Sequence, residues 1–167
     1  MTSLVALSVS IGVLGAVATW LALVPLAGIF IIWVGFIAWA TFFATGGNND
    51  ALKTTIVSGI WGAVCAWVAL LVIGNVSIGL DGNIWAAIVV GVTVLVLCLG
   101  AHVDALKNIP ASVYGYAATA AVGLTTQGAD VTAVGIATPL IVTVISIVIG
   151  AGFGLLSGKL AGVIGKG

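Results

Sequence analysis

Charged side chains are almost absent from this sequence. Its 167 residues include four Lys and four Asp but neither Arg nor Glu, so that 5% of the chain is charged and 62% is hydrophobic. Soluble domains carry about 25% charged residues, and most of this surface therefore cannot face water. The shortage excludes a soluble enzyme, a disordered tail and a nucleic-acid-binding protein, which needs a basic surface. A polytopic membrane protein remains.

Cysteine is also scarce. Cys65 and Cys98 both lie inside apolar runs, where a small buried side chain is the usual interpretation. The sequence has no Cys-x-x-Cys pair and no cluster of metal-ligating residues, so we predict neither a disulfide framework nor a metal site nor a cofactor. The first basic residue is Lys53. A signal peptide needs a positive start, and we therefore expect the first apolar segment to stay in the mature protein.

Long apolar runs fill most of the chain. A membrane-spanning helix takes about 20 residues, so six crossings use most of the sequence and leave no room for a domain outside the membrane. Turns rich in Gly, Asn and Asp separate the runs, together with Pro25. We expect an all-α integral membrane protein with spans at residues 4–23, 27–45, 51–73, 84–100, 109–124 and 131–157. The fifth span is short and is expected to be broken or re-entrant if it does not start earlier, and Pro139 is positioned to kink the sixth.

The lysines support an even number of crossings. With six spans, all four Lys fall on one side of the membrane, and Asp81 and Asp130 fall on the other. By the positive-inside rule, the lysine side is the cytoplasm. We therefore expect both termini to be cytoplasmic.

The tetrapeptide Asp-Ala-Leu-Lys occurs twice, at residues 50–53 and again at residues 104–107. Each copy lies between two apolar segments, so that spans 2 and 3 correspond to spans 4 and 5. Two crossings separate the copies, which places both on the same side of the membrane. The pattern predicts a parallel internal repeat, related by an axis along the membrane normal.

Two interpretations of these turns remain open. In the first, Asp50 and Asp104 cap the helices that follow, by accepting hydrogen bonds from free backbone N–H groups. In the second, the two turns meet in a cytoplasmic vestibule and form the polar entrance of a solute pathway. The second interpretation gives these candidate pore or vestibule residues: Asn48, Asp50, Lys53, Ser58, His102, Asp104, Lys107, Ser112, Tyr114 and Tyr116.

Glycine recurs at four-residue spacing in the last apolar run. Small residues at this spacing let two helix backbones approach closely. The predicted packing residues are Gly150, Gly154, Gly158 and Gly162 in the sixth span, with Gly115 and Gly123 in the fifth. The packing partner is either another helix of the same subunit or a second copy of the chain, and we expect a homo-oligomer.

The acidic residues argue against ion-coupled transport. All four Asp fall at predicted span ends, whereas ion-coupled pumps need an ionisable group within the membrane. Catalytic motifs such as a nucleophile elbow or a phosphate-binding loop are missing too, so we predict no enzyme activity and no catalytic residue. Mild hydroxyl side chains can line a route for a neutral solute. The leading hypothesis is a passive channel or facilitator for urea, an amide, ammonia or a dissolved gas.

Two other functions stay open at this point. The first is a structural or accessory membrane subunit that docks a partner through the glycine faces. The second is a coupled secondary transporter. Purification in mild detergent distinguishes the subunit, which would carry a different protein with it, from a channel.

Three segments carry a resemblance to a known family. Residues 42–47 (Phe-Phe-Ala-Thr-Gly-Gly), the Asp-Ala-Leu-Lys element and residues 109–116 (Ile-Pro-Ala-Ser-Val-Tyr-Gly-Tyr) resemble small bacterial inner-membrane proteins of the YcdZ type, a family of unknown function. The resemblance covers most of the chain and implies a bacterial inner-membrane location, but no activity. In size and number of spans the chain also resembles the UreI/AmiS-type urea and amide channels, although their motifs are not matched.

Overall fold

The fold was obtained as a computed structural model, which describes residues 2–126, 129–133, 135–136 and 138–165. These residues form six α-helices, which confirms the all-helical class predicted from the sequence. The helices are α1 (Ser3–Leu23), α2 (Ile32–Ala44), α3 (Asn49–Asn75), α4 (Gly82–Leu99), α5 (Ile109–Thr125) and α6 (Pro139–Ile164). Two short 3₁₀ turns, Gly100–His102 and Asp104–Leu106, connect α4 to α5.

Four of the helices are long and apolar enough to cross a membrane: α1, α3, α6, and α4 together with the turn that follows it to His102. The other two are shorter, with 13 residues in α2 and 17 in α5. At about 1.5 Å per residue, α2 is some 20 Å long, less than the hydrocarbon thickness of about 30 Å. The length and hydropathy of the four long helices make this a multi-pass membrane protein.

The second helix begins at Ile32, later than residue 27 where the sequence places it. Residues 24–31 form successive turns instead, in which the Leu26 N–H donates to Leu21 O at 2.8 Å and the Phe30 N–H to Leu26 O at 2.9 Å. Gly28 has a φ of 79°, a left-handed conformation that interrupts a right-handed helix. Residues 27–31, which the sequence assigns to the second span, therefore precede the helix.

The sixth helix begins at Pro139, later than residue 131 where the sequence places the start of the sixth span, so Pro139 lies in the first turn of the helix and not at a kink inside it. Proline suits the first turn of a helix because the missing N–H has no intrahelical acceptor there. Before it, Asp130 Oδ1 accepts hydrogen bonds from Thr132 Oγ1 at 2.7 Å and Thr132 N at 2.8 Å. These bonds stabilise the carboxylate and lower the pKa of Asp130. Gly135, with a φ of 101°, continues the turn.

The chain divides into two compact units. Unit 1 comprises Met1–Ile56 with Ile145–Gly167, and unit 2 comprises Val57–Val144. The long helices α3 and α6 contribute residues to both.

In unit 1, α2 and α6 pack backbone against backbone. A Cβ added to Gly150 would lie 2.6 Å from Gly35 Cα, and one added to Gly154 would lie 2.8 Å from Phe42 Cδ1. Beside this contact the Trp39 ring stacks on Phe153, with the ring centroids 5.6 Å apart. Two of the spaced glycines of α6 thus pack within the same subunit.

In unit 2, α3 and α5 pack in the same way. A Cβ on Gly62 would lie 2.6 Å from the carbonyl carbon of Ser112, and one on Gly115 would lie 2.9 Å from Gly59 Cα. Farther along α5, Gly123 faces Leu70, whose Cδ1 would be 2.6 Å from an added Cβ. Glycine therefore sets the separation of these two helices.

Candidate functional site

The buried polar residues of the described chain are all serine or threonine. They are Ser10, Thr41, Thr55, Ser58, Ser112, Thr119, Thr138, Thr143, Ser146 and Ser157. Within the residues that the structure describes, no charged side chain is buried. The buried side chains of the described helices can therefore offer hydrogen bonds, but they carry no formal charge.

In unit 1 these hydroxyls join the helices. The Trp39 Nε1–H donates to Ser157 Oγ at 3.0 Å, and the Ser157 hydroxyl in turn donates to Gly154 O at 2.8 Å. Ser10 on α1 donates to the carbonyl of Ser157 at 2.8 Å. Ser146 Oγ accepts from the Ile31 N–H at 2.9 Å, which holds the turn before α2 against α6. These hydroxyls have partners within the protein, and their contribution is structural.

In unit 2, Ser58 and Thr143 differ from this pattern. Both are 0% exposed, and their hydroxyl oxygens have no hydrogen-bond partner among the described residues. A buried polar group without a partner costs about 1–3 kcal/mol, and such sites usually hold water or a ligand group. Ser58 and Thr143 therefore have hydrogen-bonding capacity that a small polar molecule could use.

Two other buried hydroxyls of unit 2 show what an ordinary buried hydroxyl does here. Thr119 Oγ1 donates to Gly115 O at 3.0 Å, and Ser112 Oγ to Asn108 O at 3.4 Å. Both bonds go to the residue's own helix or its cap, as is common for Ser and Thr in apolar helices. Sequence reasoning singles out Ser58 but not Thr143, since nothing in the local sequence of Thr143 distinguishes it from Thr119.

The two Asp-Ala-Leu-Lys copies have different backbone structures. The first lies in the opening turn of α3, whereas Asp104–Leu106 forms a 3₁₀ turn ahead of α5. Pro110 explains the difference, because proline is tolerated only in the first turn of a helix and α5 therefore cannot begin as early as residue 104. The predicted internal repeat is not seen at this level.

Asparagine, not aspartate, caps α3, which contains the first copy, and α5, which follows the second. Asn48 Oδ1 accepts from the Ala51 N–H at 2.8 Å, and Asn108 Oδ1 accepts from the Ala111 N–H at 3.0 Å. In the part of the chain that the structure describes, neither Asp50 nor Asp104 makes a side-chain hydrogen bond, so the expected aspartate caps are wrong. The missed signal is an asparagine three residues before a buried alanine.

The remaining predicted vestibule residues are divided between the two units. Asp50 and Lys53 belong to unit 1, and His102, Asp104 and Lys107 to unit 2; all of them are exposed.

The two tyrosines of α5 also differ. Tyr116 OH lies 2.9 Å from Thr93 Oγ1 and so links α5 to α4. Tyr114 is 46% exposed. Tyr116 therefore contributes to helix packing in unit 2.

A single family accounts for nearly the whole length. Its model matches residues 8–162 and is described as a protein of unknown function, DUF1097. The chain belongs to the DUF1097 family. Neither the curated proteins nor the solved structures give a match. Membership of this family assigns no activity, and the functional argument therefore starts from the buried hydroxyls.

Proposed function

We propose that the protein is a passive channel or facilitator for a small uncharged polar solute, such as urea, an amide or ammonia, in the bacterial inner membrane. The observation that carries the proposal is that Ser58 and Thr143 are completely buried and that neither hydroxyl has a hydrogen-bond partner among the described residues. A hydroxyl donates one hydrogen bond and can accept two, so it can replace water around a neutral solute without holding it tightly. Compared with a dissolved gas, urea and ammonia make better use of this capacity.

The charge distribution supports a neutral solute. Moving an ion into an apolar interior is costly unless a charged group pairs with it. In the described spans, the buried polar side chains are all hydroxyls of Ser or Thr. A coupled secondary transporter would need such a charged group. In this proposal the protein moves its solute down a gradient and performs no chemical conversion.

The topology in this proposal has six crossings and cytoplasmic termini. Lys53 and Lys107 are exposed, as lysines at a membrane surface need to be, and the positive-inside rule places them in the cytoplasm. The short helices α2 and α5 cross with their neighbours shielding their ends.

Solute flux into proteoliposomes tests the proposal. Vesicles with the protein should take up urea or ammonia faster than empty vesicles, measured by stopped-flow light scattering or an internal pH dye. Ser58→Ala and Thr143→Val should each reduce this flux. Ser112→Ala and Thr119→Val are matched controls, because they remove equally buried hydroxyls that bond to their own helix or its cap. Equal rates in empty and protein-containing vesicles across the panel would refute the channel.

A second function, a structural subunit that docks another helix, is favoured by the outer face of α1. Ser8, Gly12 and Ala16 repeat at four-residue spacing and are exposed, and a Cβ on Gly12 would meet no described atom within 4 Å. Small residues in this arrangement fit close helix contact. A homo-oligomer would use this face, since Gly150 and Gly154 on α6 already pack inside the subunit.

Gly12→Leu tests this second function by size-exclusion chromatography in mild detergent. Loss of an oligomer or of a co-purified protein would support docking at α1. Gly152→Leu, at another open glycine, serves as the control. An unchanged assembly in Gly12→Leu would contradict it.

A further inference from the structure

An apolar groove of about 560 Å³ runs between α3 and α4 within unit 2. Its walls include Val64, Val68 and Val72 from α3 and Ile88 and Val92 from α4. Val68, Ile88 and Val92 are 40–54% exposed, so the groove is open along its length. Its lining extends over about three turns of each helix, roughly 16 Å, which gives it the elongated form of a single hydrocarbon chain.

The two ends of the groove differ in their tryptophans. At one end the Trp61 Nε1–H donates to Leu97 O at 3.1 Å, a bond that joins α3 to α4. At the other end stands Trp85, whose Nε1 is buried and has no acceptor among the described residues. A buried indole N–H normally finds a partner. The occupant of the groove should therefore bring an acceptor to Trp85.

The position of Trp85 identifies that acceptor. Trp85 lies in the first turn of α4, at the membrane interface that tryptophan favours. Phospholipid ester carbonyls are the hydrogen-bond acceptors abundant at this depth, and each continues directly into an acyl chain. A lipid with its carbonyl at Trp85 would thus extend its chain along the valines of the groove.

The charge at this end selects the headgroup. Asp81 is the N-cap residue of α4 and lies one turn before Trp85, whose backbone N–H donates to Asp81 O at 2.9 Å. Its carboxylate is exposed and caps α4, accepting from Asn83 N at 2.9 Å. Lys107, the cation of unit 2, follows the opposite end of α4. The local charge is therefore negative and complements an ammonium group.

We propose that the groove between α3 and α4 binds one acyl chain of a phosphatidylethanolamine molecule, with the Trp85 N–H donating to an ester carbonyl and Asp81 attracting the headgroup ammonium. Val68, Val72, Ile88 and Val92 contact the chain. The site is independent of the proposed solute pathway, since it involves neither Ser58 nor Thr143.

Native mass spectrometry of the purified protein, after exchange into defined phospholipid and detergent mixtures, tests this site. We expect one retained phosphatidylethanolamine per chain, in preference to phosphatidylglycerol. Trp85→Phe keeps the ring but removes the N–H, and should lower retention about fivefold, as expected for one lost hydrogen bond. Trp20→Phe, at a 58% exposed tryptophan of α1, is the control and should retain the lipid.

Two further variants separate the headgroup from the chain. Asp81→Asn preserves a capping side chain and should remove the preference for ethanolamine over glycerol headgroups. Val92→Trp should fill the groove and release the lipid, and a folding defect in that variant leaves Trp85→Phe as the decisive comparison.

Unchanged retention in Trp85→Phe would overturn the proposal, as would equal retention of the two lipids by the wild-type chain or a protein helix found cross-linked in the groove. The urea flux of Trp85→Phe should equal that of the wild type. This readout keeps a failure of the lipid site distinct from a failure of the facilitator.

Discussion

Two asparagine side chains hold the first turns of α3 and α5. Asn48 and Asn108 each accept a hydrogen bond from the backbone N–H three residues ahead, which satisfies one of the amides that a helix leaves free at its beginning. Asp50 is already inside the first turn of α3, and Asp104 lies in a 3₁₀ turn. The motif that stands out in the sequence is thus adjacent to the residues that perform the capping.

Asn108→Ala should destabilise the protein by about 1 kcal/mol, because it removes the cap of α5. The measurement is thermal unfolding in detergent, followed by circular dichroism. Asp104→Ala is the control and should change the unfolding temperature little. A larger loss in Asp104→Ala than in Asn108→Ala would contradict this assignment of the cap.

Among the helices, α6 is the one whose glycine spacing best predicts close helix packing. The sequence predicts close packing along Gly150, Gly154, Gly158 and Gly162 without showing the partner. In the structure, Gly150 and Gly154 contact α2. A Cβ added to Gly158 would lie 3.9 Å from a ring atom of Phe43, and one added to Gly162 would meet no described atom within 4 Å. Which helix packs against the glycines of α6 depends on where the chain turns before α2. The spacing of glycines within one helix does not predict this.

Gly150→Ala should destabilise the protein by about 1–3 kcal/mol, because its Cβ would overlap the backbone of Gly35. Gly152→Ala on the same helix is the matched control. An added Cβ there meets no described atom within 4 Å, and alanine favours helix by up to about 1 kcal/mol over glycine. Unfolding in a denaturing detergent series measures both, and equal effects would argue against the α2–α6 contact.

At the scale of the whole molecule, the short helices decide the topology. The crossings of α3 and α4 separate Lys53 from Lys107, so these two lysines share a side whether or not α2 and α5 cross. If α2 crosses, residue 2 lies on the same side as Lys53, and if α5 crosses, Lys159 lies on the same side as Lys107. If a short helix does not cross, its pair lies on opposite sides. With 13 residues, α2 is the helix for which crossing is least assured by length. Accessibility labelling therefore tests the predicted count of six more sharply than hydropathy does.

We expect Thr2→Cys and Asn49→Cys, each in a background without Cys65 and Cys98, to react with a membrane-impermeant maleimide only from the cytoplasmic side. Ser77→Cys, between α3 and α4, should react only from the outside. All three positions are exposed, and the native lysines remain in place to direct insertion. Labelling of residues 2 and 49 from opposite sides would show that α2 does not cross and would contradict the six-crossing topology.

The sequence by itself determined that this chain is helical and spans a membrane, because composition and the length of the apolar runs depend on no contact between distant residues. The helix bounds of α1, α3, α4 and α5 followed nearly as well, since Pro25 comes shortly after α1 and polar residues or glycine interrupt the apolar runs where the other three helices end. Only the tertiary structure decided which glycines pack inside the subunit and which buried hydroxyls have partners. Those outcomes depend on pairs such as Trp39 with Ser157, which lie far apart in the chain and meet only when the helices pack.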